Sequence, residues 1–285
     1  MTGSTLVELF VDGLARGFLF ALLGAGITLV FGLGNILNIA IGGFALIALI
    51  ATAELLPSSP SLAVAAVGGL VAVALVGLAV DRTLLSLVYR EDGEDRILLG
   101  IFTTLGLMLF LEGVMFNWYA EGVSLSPDIP ALTVAGLRIR GSTLLIIAVA
   151  SVSLLLLVLF LRYTYLGKAT RTVFQDEVGA TLCGIDARRI RTLIFVISVV
   201  IAGIAGILQG VQTSPRPDAA FELTVFAIIV SVVGGVRNIR GTIGAGLLLG
   251  LVITYANFFI GAFVANIILF GVAVLVLLLR PEEIA

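Results

Sequence analysis

The stretch LGKATRTVFQDEVGATLCGIDARRIR, residues 166–191, is a long charged interruption in a chain that is otherwise strongly apolar. Apolar segments at 142–161 and 193–213 flank it. Each has about the 20 residues that a helix needs to cross a bilayer. A turn between two spans needs only a few residues. A polar segment of this length therefore indicates a function on the water side of a membrane.

The composition places the chain in lipid. Its 285 residues are 60% hydrophobic and only 12% charged, and the mean hydropathy is +1.22. Soluble domains carry roughly 25% charged residues, so this chain lacks the polar residues needed for a water-facing surface. Histidine is absent and Cys183 is the only cysteine, which excludes disulfides, Cys/His metal sites and Ser-His or Cys-His catalysis within the chain. We expect no metal and no cofactor.

Nine apolar segments predict an all-α, polytopic membrane protein with eight to ten membrane segments, because backbone groups in lipid must be satisfied internally. They lie near 6–31, 39–56, 62–80, 97–119, 142–161, 193–213, 222–236, 242–260 and 262–280. The segments 39–56 and 222–236 are short, and Gly-rich breaks, GLGNILN (32–38) and GGVRNIRG (234–241), lie beside them. These features favour discontinuous or re-entrant helices. The two breaks also match at four positions, which suggests an internal repeat or chance similarity.

The basic residues set the orientation. Alternating spans would place most of them on one side of the membrane, namely Arg82, Arg90, Arg96, Arg162, Lys168, Arg171, Arg188, Arg189, Arg191, Arg237, Arg240 and Arg280. The opposite loops hold only Arg138, Arg140 and Arg216. Because cytoplasmic loops are enriched in Lys and Arg, we expect loop 163–192 in the cytoplasm of a prokaryotic cell and the protein in its cytoplasmic (inner) membrane.

The polar stretch favours a helix, a glycine turn and a second helix. Residues 170–182 contain few helix breakers, and Asp176 and Glu177 are acids typical of a helix start. Gly184 fits a helix C-cap, and Asp186 fits the N-cap of a second short helix that carries the next arginines. Such a surface helix is typical of a docking element. The alternative is a solvated loop whose charges only fix the topology.

Four stretches resemble one transporter family. The sequence VFQDEVGATLCGIDARRIRTLIFVISVVIAGIAGILQG (173–210) resembles the cytoplasmic loop and following span of the permease subunits of branched-chain amino acid ABC importers. GNILNIAIGGFALIALIA (34–51) resembles the first broken segment of that family, AGLRIRGSTLLIIAVA (135–150) its periplasmic turn, and VVGGVRNIRGTIGAGLLLGLV (232–252) its Gly-rich C-terminal segment. The resemblance covers nearly the whole chain in the right order and is closest to the smaller permease type.

The resemblance implies a single permease domain over 1–285 that forms the path for a branched-chain or hydrophobic amino acid or a similar small polar solute. Its partners would be P-loop ATPase subunits, a second permease subunit, identical or different, and an extracytoplasmic substrate-binding protein; nucleic acid is not expected. Loop 163–192 would couple to the ATPase through Asp176, Glu177, Gly184, Ile185, Asp186, Arg188 and Arg189.

The chain departs from the family pattern at two places. Val178 stands where the family usually has glutamate, and Ile41, Gly42 and Gly43 stand where it usually has a His-Gly pair and a following acid. The coupling elements remain, but the substrate is left open. Permeases for urea, short amides and, more distantly, sugars also resemble this chain.

ATP binding is excluded within this chain by its sequence. A P-loop requires G-x-x-x-x-G-K-[ST], whose backbone N–H groups cradle phosphates. The only Gly-Lys pair is Gly167–Lys168, which is followed by Ala169, and Arg162 occupies the position of the first glycine. We therefore expect the chain not to be an enzyme, with ATP hydrolysis in a separate subunit.

Few polar groups lie at membrane depth. The candidate path residues are Asn35, Asn38, Gly42, Gly43, Glu112, Gln209 and Asn238. A carboxylate in a span is a functional candidate by default. A path so poor in polar groups suits a gated pore whose selectivity comes from an external binding protein. The alternative is an ion-coupled secondary transporter, for which Glu112 is the one available mid-span charge.

The arginine bias yields a topology test. Single cysteines at Thr172 and Ser126, introduced into a Cys183→Ala background, should be labelled from opposite sides of the membrane by an impermeant maleimide. Thr172 should react only from the cytoplasmic side, because it lies in the basic loop. Labelling of both positions from the same side contradicts the predicted orientation.

Overall fold

The computed structural model describes residues 3–34, 36–91, 93–125, 129–134 and 137–279, and they are almost entirely helical. The longer helices are α1 (Gly3–Gly34), α2 (Ile41–Leu55), α3 (Leu62–Val80), α5 (Gly93–Tyr119), α6 (Gly141–Tyr163), α9 (Ala187–Gln212), α10 (Ala219–Gly234), α11 (Ile239–Ile260) and α12 (Ala262–Leu279). Shorter helices are α4 (Ser86–Val88), α7 (Tyr165–Gln175) and α8 (Glu177–Leu182). A 3-10 turn (Leu56–Ser58) follows α2, and a π-helical segment (Asp81–Leu85) continues α3 into α4.

The membrane segments agree with the sequence prediction. In the described part of the chain, seven helices are long and apolar enough to cross a membrane, and two shorter apolar helices, Ala219–Gly234 and Ala262–Val276, accompany them. The predicted all-α fold with eight to ten segments is therefore confirmed. The sequence did not predict a small hairpin after α5, in which β1 (Leu132–Val134) pairs antiparallel with β2 (Leu137–Ile139).

Two helices form the centre of the bundle. In their most apolar windows, α1 is 78% buried and α9 is 72% buried, whereas α3, α6 and α11 are each only 22% buried. The outer helices nevertheless expose large apolar side chains such as Val67, Phe102 and Leu155. Such surfaces are stable only against lipid, so the outer ring faces the bilayer and α1 and α9 are shielded from it.

The packing relates two sets of three helices. The order of long helix, break, short helix and long helix occurs in α1–α2–α3 and again in α9–α10–α11. The first helix of each set packs against the short and the last helix of the other set, so that α1 contacts α10 and α11 while α9 contacts α2 and α3. With alternating spans α1 and α9 run in opposite directions, which is the arrangement of an inverted repeat. This pairing differs from the sequence match between residues 32–43 and 235–246.

Glycines bring the two sets into backbone contact. A Cβ atom on Gly42 would overlap the carbonyl oxygen of Ala220 in α10, and one on Gly206 would overlap the carbonyl oxygen of Ala45 in α2. Close approach of this kind is how helices associate in lipid, where no hydrophobic effect drives them together. Glycine is therefore required at these two positions because the backbones of neighbouring helices are in direct contact there.

These contacts predict a loss of stability on adding one methyl group. Gly42→Ala and Gly206→Ala should each destabilise the folded protein by about 1–3 kcal/mol, because the backbone opposite must move. Gly106→Ala and Gly113→Ala on α5 are matched controls, since a Cβ there meets no atom within 4 Å. Thermal unfolding in detergent measures the difference. Equal midpoints for all four variants would show that these backbone contacts do not limit stability.

Candidate functional site

The break between α1 and α2 lies deep in the membrane. Thr104, near the middle of the 27-residue helix α5, accepts a hydrogen bond from the backbone N–H of Ile39 at 3.1 Å. Its hydroxyl also lies 3.0 Å from the carbonyl oxygen of Leu37. Residues 36–40 are thus held at mid-membrane depth by a side chain of a spanning helix.

A second threonine completes the support of the break. The hydroxyl of Thr224 in α10 accepts a hydrogen bond from the N–H of Gly42 at 3.0 Å and lies 2.9 Å from the carbonyl oxygen of Ile39. Thr224 is fully buried. Non-helical backbone at this depth is tolerated only where protein satisfies its polar groups, and these two threonines do so.

Asn38 is the polar side chain inside the break. It is fully buried, and its Oδ1 accepts a hydrogen bond from the N–H of Ala40 at 3.1 Å. Its Nδ2 has no hydrogen-bond partner among the described residues. A buried donor without a partner costs free energy, so it is a candidate for a functional role. Its assignment to the path stays a prediction.

The structure brings the glycines of the predicted path to the same place. Gly42 and Gly43 form the first turn of α2, directly after the break, and Gly43 faces Leu111 of α5. Glu112 follows on α5 and is half-buried. The N-terminus of α10 meets that of α2 here, at the contact between Ala220 and Gly42. Two short helices of the bundle therefore begin at one point.

The remaining predicted path residues lie elsewhere. Gln209 is in the last turn of α9, where its Nε2 donates to Thr213 Oγ1 at 3.1 Å. Asn238 is exposed and caps α11 through a hydrogen bond from the N–H of Gly241 to its Oδ1, at 3.1 Å. Asn35 lies outside the described residues. These side chains do not join Asn38 in one cluster.

The segment between α6 and α9 contains two short helices before the glycine turn rather than the one predicted over 170–182. The Asp176 backbone is extended, and its carboxylate accepts a hydrogen bond from the N–H of Gly179 at 3.0 Å. Asp176 therefore ends α7 and N-caps α8, with Glu177 as the first residue of α8. The acids do mark a helix start, as predicted, but the helix they start is only six residues long.

Gly184 forms the predicted C-cap. Its φ is +81°, and its N–H donates to the carbonyl of Thr181 while the N–H of Ile185 donates to that of Ala180, both at 3.0 Å. This is a Schellman motif, in which glycine avoids the strain of a left-handed backbone. Asp186 then accepts from the N–H of Arg189 at 3.1 Å. Asp186 is an N-cap, as predicted, but the helix that it starts is not short, because α9 runs unbroken from Ala187 into the apolar span.

Glu177 faces the body of the protein. Its carboxylate lies 2.9 Å from Arg191 of α9 and 3.9 Å from Arg96 of α5, and both arginine side chains are almost buried. The Arg191 guanidinium also stacks over Tyr89, 4.5 Å from the ring centroid. Burial raises the pKa of the Tyr89 phenol, which therefore stays neutral beside this ion pair. Glu177 thus fixes α8 to α9 and α5.

The outward face of α8 is apolar. Val178 is 71% exposed and Leu182 is 84% exposed, and their spacing of four residues puts them on one side of the helix. Arg188 and Arg189 are exposed next to them, and Arg189 forms a 2.9 Å surface pair with Asp186. The sequence analysis did not identify Val178 and Leu182 as an exposed apolar pair. Two apolar residues four positions apart inside a polar segment are the pattern that predicts such a pair.

Comparison with known proteins assigns the family. The model of the branched-chain amino acid transport system permease component matches residues 9–279, which is nearly the whole chain. The chain belongs to this family. It is a permease component of an ABC transport system, and ATP hydrolysis resides in separate ATPase subunits. The predicted family and the predicted location of ATP hydrolysis are both confirmed.

Relatives of the permease extend along its full length. It is 28% identical to BraD of Pseudomonas aeruginosa, a high-affinity branched-chain amino acid transport system permease protein, over 98% of this chain and 95% of the relative. It is 27% identical to LivH of Escherichia coli K12, which carries the same description, over 96% and 93%. The structure of PsaBC from Streptococcus pneumoniae matches with a TM-score of 0.55 over 95% and 92% of the chains, at 10% identity, which shows a shared fold.

The support of the break yields a stability test. Thr224→Val in the permease should leave the Gly42 N–H and the Ile39 carbonyl unpaired, at about 1–3 kcal/mol for each buried group. Thr224→Ser keeps the hydroxyl and should retain most of that stability. Thr172→Val, on the exposed side of α7, is the matched control. Thermal unfolding compares the three, and a Thr224→Val midpoint equal to wild type contradicts the role of this hydroxyl.

Proposed function

We propose that this chain is the smaller membrane subunit of an importer for branched-chain or other hydrophobic amino acids, in the cytoplasmic membrane of a prokaryote. The observation that carries the proposal is the family match over residues 9–279, which includes the break, the docking segment and the Gly-rich C-terminal helices. Relatives described as branched-chain amino acid permeases cover the same length. An ion-coupled mechanism has no comparable support.

The docking surface for an ATPase is the exposed face of α8 together with the Gly184 turn and the start of α9. Apolar side chains as exposed as Val178 and Leu182, in a segment outside the membrane, favour a protein partner that covers them. Arg188 and Arg189 add positive charge at the rim. The caps at Asp176 and Asp186 and the turn at Ile185 determine the shape of this surface. Glu177, on the inner side of α8, attaches it to α9.

The connection from docking surface to path follows the helices. Because Glu177 pairs with Arg191, α8 moves with α9 when a partner pushes on it. Further along α9, Gly203, Gly206 and Gly210 contact α2 through Ala48, Ala45 and Leu49. The first turn of α2 begins at the break. Motion of the ATPase would thus reach Asn38 and Gly42 through one continuous helix and one tight helix contact.

The remaining partners follow from this role. A second permease subunit would complete the path, and an extracytoplasmic binding protein would supply selectivity, because the described break offers one unpaired amide and no charged residue to hold a solute. A weak site suits conduction, since a solute must leave as readily as it enters.

The docking proposal is tested on the exposed face of α8. Leu182→Asp and Val178→Asp should reduce co-purification of the ATPase by at least about tenfold, because an apolar contact becomes a charge inside an interface. Uptake of radiolabelled leucine should fall in parallel. The Arg188→Ala/Arg189→Ala double variant should show a smaller loss of the same kind.

Thr172→Asp is the matched control, since it adds the same charge to an exposed position on α7. All variants should insert and unfold like wild type, because Thr172, Val178 and Leu182 lie outside the spans and Arg188 and Arg189 are exposed in the first turn of α9. Wild-type retention of the ATPase in both α8 variants would contradict the docking surface. Retention of the ATPase with uptake of urea but not leucine would contradict the substrate and leave the docking surface intact.

A further inference from the structure

A basic cleft lies where the spanning helix α6 ends and the spanning helix α11 begins, and its lining includes no residue of α8, the Gly184 turn or the break between α1 and α2. It has a volume of about 450 Å³ and is lined by the end of α6, one face of α7 and the start of α11. Four of its ten lining residues are arginines and none is acidic; the arginines are Arg162, Arg171, Arg237 and Arg240. The positive charges of Arg162, Arg171 and Arg240 around one cleft favour an anion bound between them.

The position of the cleft matches the headgroup level of a bilayer. Arg162 is in the last turn of the spanning helix α6, and Arg240 is in the first turn of the spanning helix α11. The aromatic side chains of Tyr163 and Tyr165 are exposed beside it, which is typical of residues at a membrane–water interface. The arginines are therefore placed where lipid phosphates lie.

The walls of the cleft are of two kinds. Val158 and Leu161 of α6 and Ile239 of α11 supply apolar surface, while the arginines and Gln175 supply polar groups. The Arg171 guanidinium donates to the backbone carbonyl of Arg162 at 3.3 Å, which ties α7 to the end of α6. The cleft thus offers apolar surface to an acyl chain and guanidinium groups to its headgroup.

The helix geometry adds to the positive potential. The N-terminus of the 22-residue helix α11 opens into the cleft through Asn238, Ile239 and Arg240. Backbone N–H groups and the helix dipole at such an end favour a phosphate oxyanion. Arginine forks add bidentate hydrogen bonds to the same group.

We propose that this cleft binds the headgroup of an anionic phospholipid from the surrounding leaflet. The ligand chemistry is a phosphate diester with at least one acyl chain, which matches basic pockets between membrane helices at this depth. A soluble phosphate would use the arginines but not the apolar wall. The site does not depend on which solute the permease carries.

The test measures lipid binding to the purified full-length chain by native mass spectrometry, with dioleoyl-phosphatidylglycerol and dioleoyl-phosphatidylcholine as probes. Phosphatidylglycerol should bind more tightly. Arg162→Gln/Arg240→Gln should weaken its binding about 30-fold, because the loss of each arginine weakens the attraction to an anionic lipid about fivefold. Arg162→Lys/Arg240→Lys keeps the charge but loses the bidentate forks, so it should weaken binding less than the Gln variant does, by about three- to tenfold.

The matched control is Arg82→Gln/Arg90→Gln, which removes two exposed arginines outside the cleft, from the basic loop 81–96. It should change binding by less than about threefold, because such charges are screened. An equal loss in both double variants would overturn the cleft as the site. So would equal binding of phosphatidylcholine.

Two further outcomes distinguish other ligands. Displacement of the lipid by millimolar inorganic phosphate would replace the lipid assignment with a soluble phosphate. Unchanged lipid binding in Arg162→Gln/Arg240→Gln, with loss of the co-purified ATPase, would make the cleft a protein-docking surface instead. Each variant is compared with wild type by thermal unfolding, and the Lys variant keeps the test decisive if the Gln variant is unstable.

Discussion

Two threonine hydroxyls make the architecture of this permease possible. Backbone N–H and C=O groups left unpaired in lipid cost several kcal/mol each, which normally forbids a non-helical segment at mid-depth. Thr104 accepts a hydrogen bond from the N–H of Ile39 and Thr224 accepts one from the N–H of Gly42, and the two threonines come from different helices. The break therefore fixes α5 and α10 around the start of α2. The contact of Gly42 with Ala220 belongs to the same arrangement.

The charged residues around α8 have two separate effects on stability. Glu177 points inward and binds Arg191 and Arg96, which are largely shielded from water. Its loss would remove the 2.9 Å ion pair of Arg191 in a partly buried position, which costs more than the loss of a surface pair. The Asp186–Arg189 pair is exposed and contributes little to stability. The first pair fixes α8 to the body of the protein, and the second lies on the exposed surface beside it.

The sequence predicted the fold well because the relevant signals are local. Neighbouring residues are enough to predict the nine apolar segments, the two Gly-rich breaks, the Gly184 turn and the caps at Asp176 and Asp186. The partners of the break are not local, since Thr104 is 65 residues from Ile39 and Thr224 is 185 residues from it. The inward role of Glu177 was hidden for the same reason, because Arg96 and Arg191 approach it only in the folded chain. Gln209 and Asn238 were grouped with the path by polarity alone, and local hydrogen bonds account for both.

The unbroken course of α9 gives it the properties of a lever. At 1.5 Å per residue, its cytoplasmic start lies roughly 29 Å from the contact of Gly206 with Ala45, and its outer end lies only about 9 Å beyond that contact. If the helix tilts as a rigid rod about this fulcrum, displacement at the docking end is reduced about threefold at the outer end. Force is multiplied by the same ratio. A large, weak movement of a soluble partner would then become a short, strong movement beside α2, where tightly packed backbones resist small shifts.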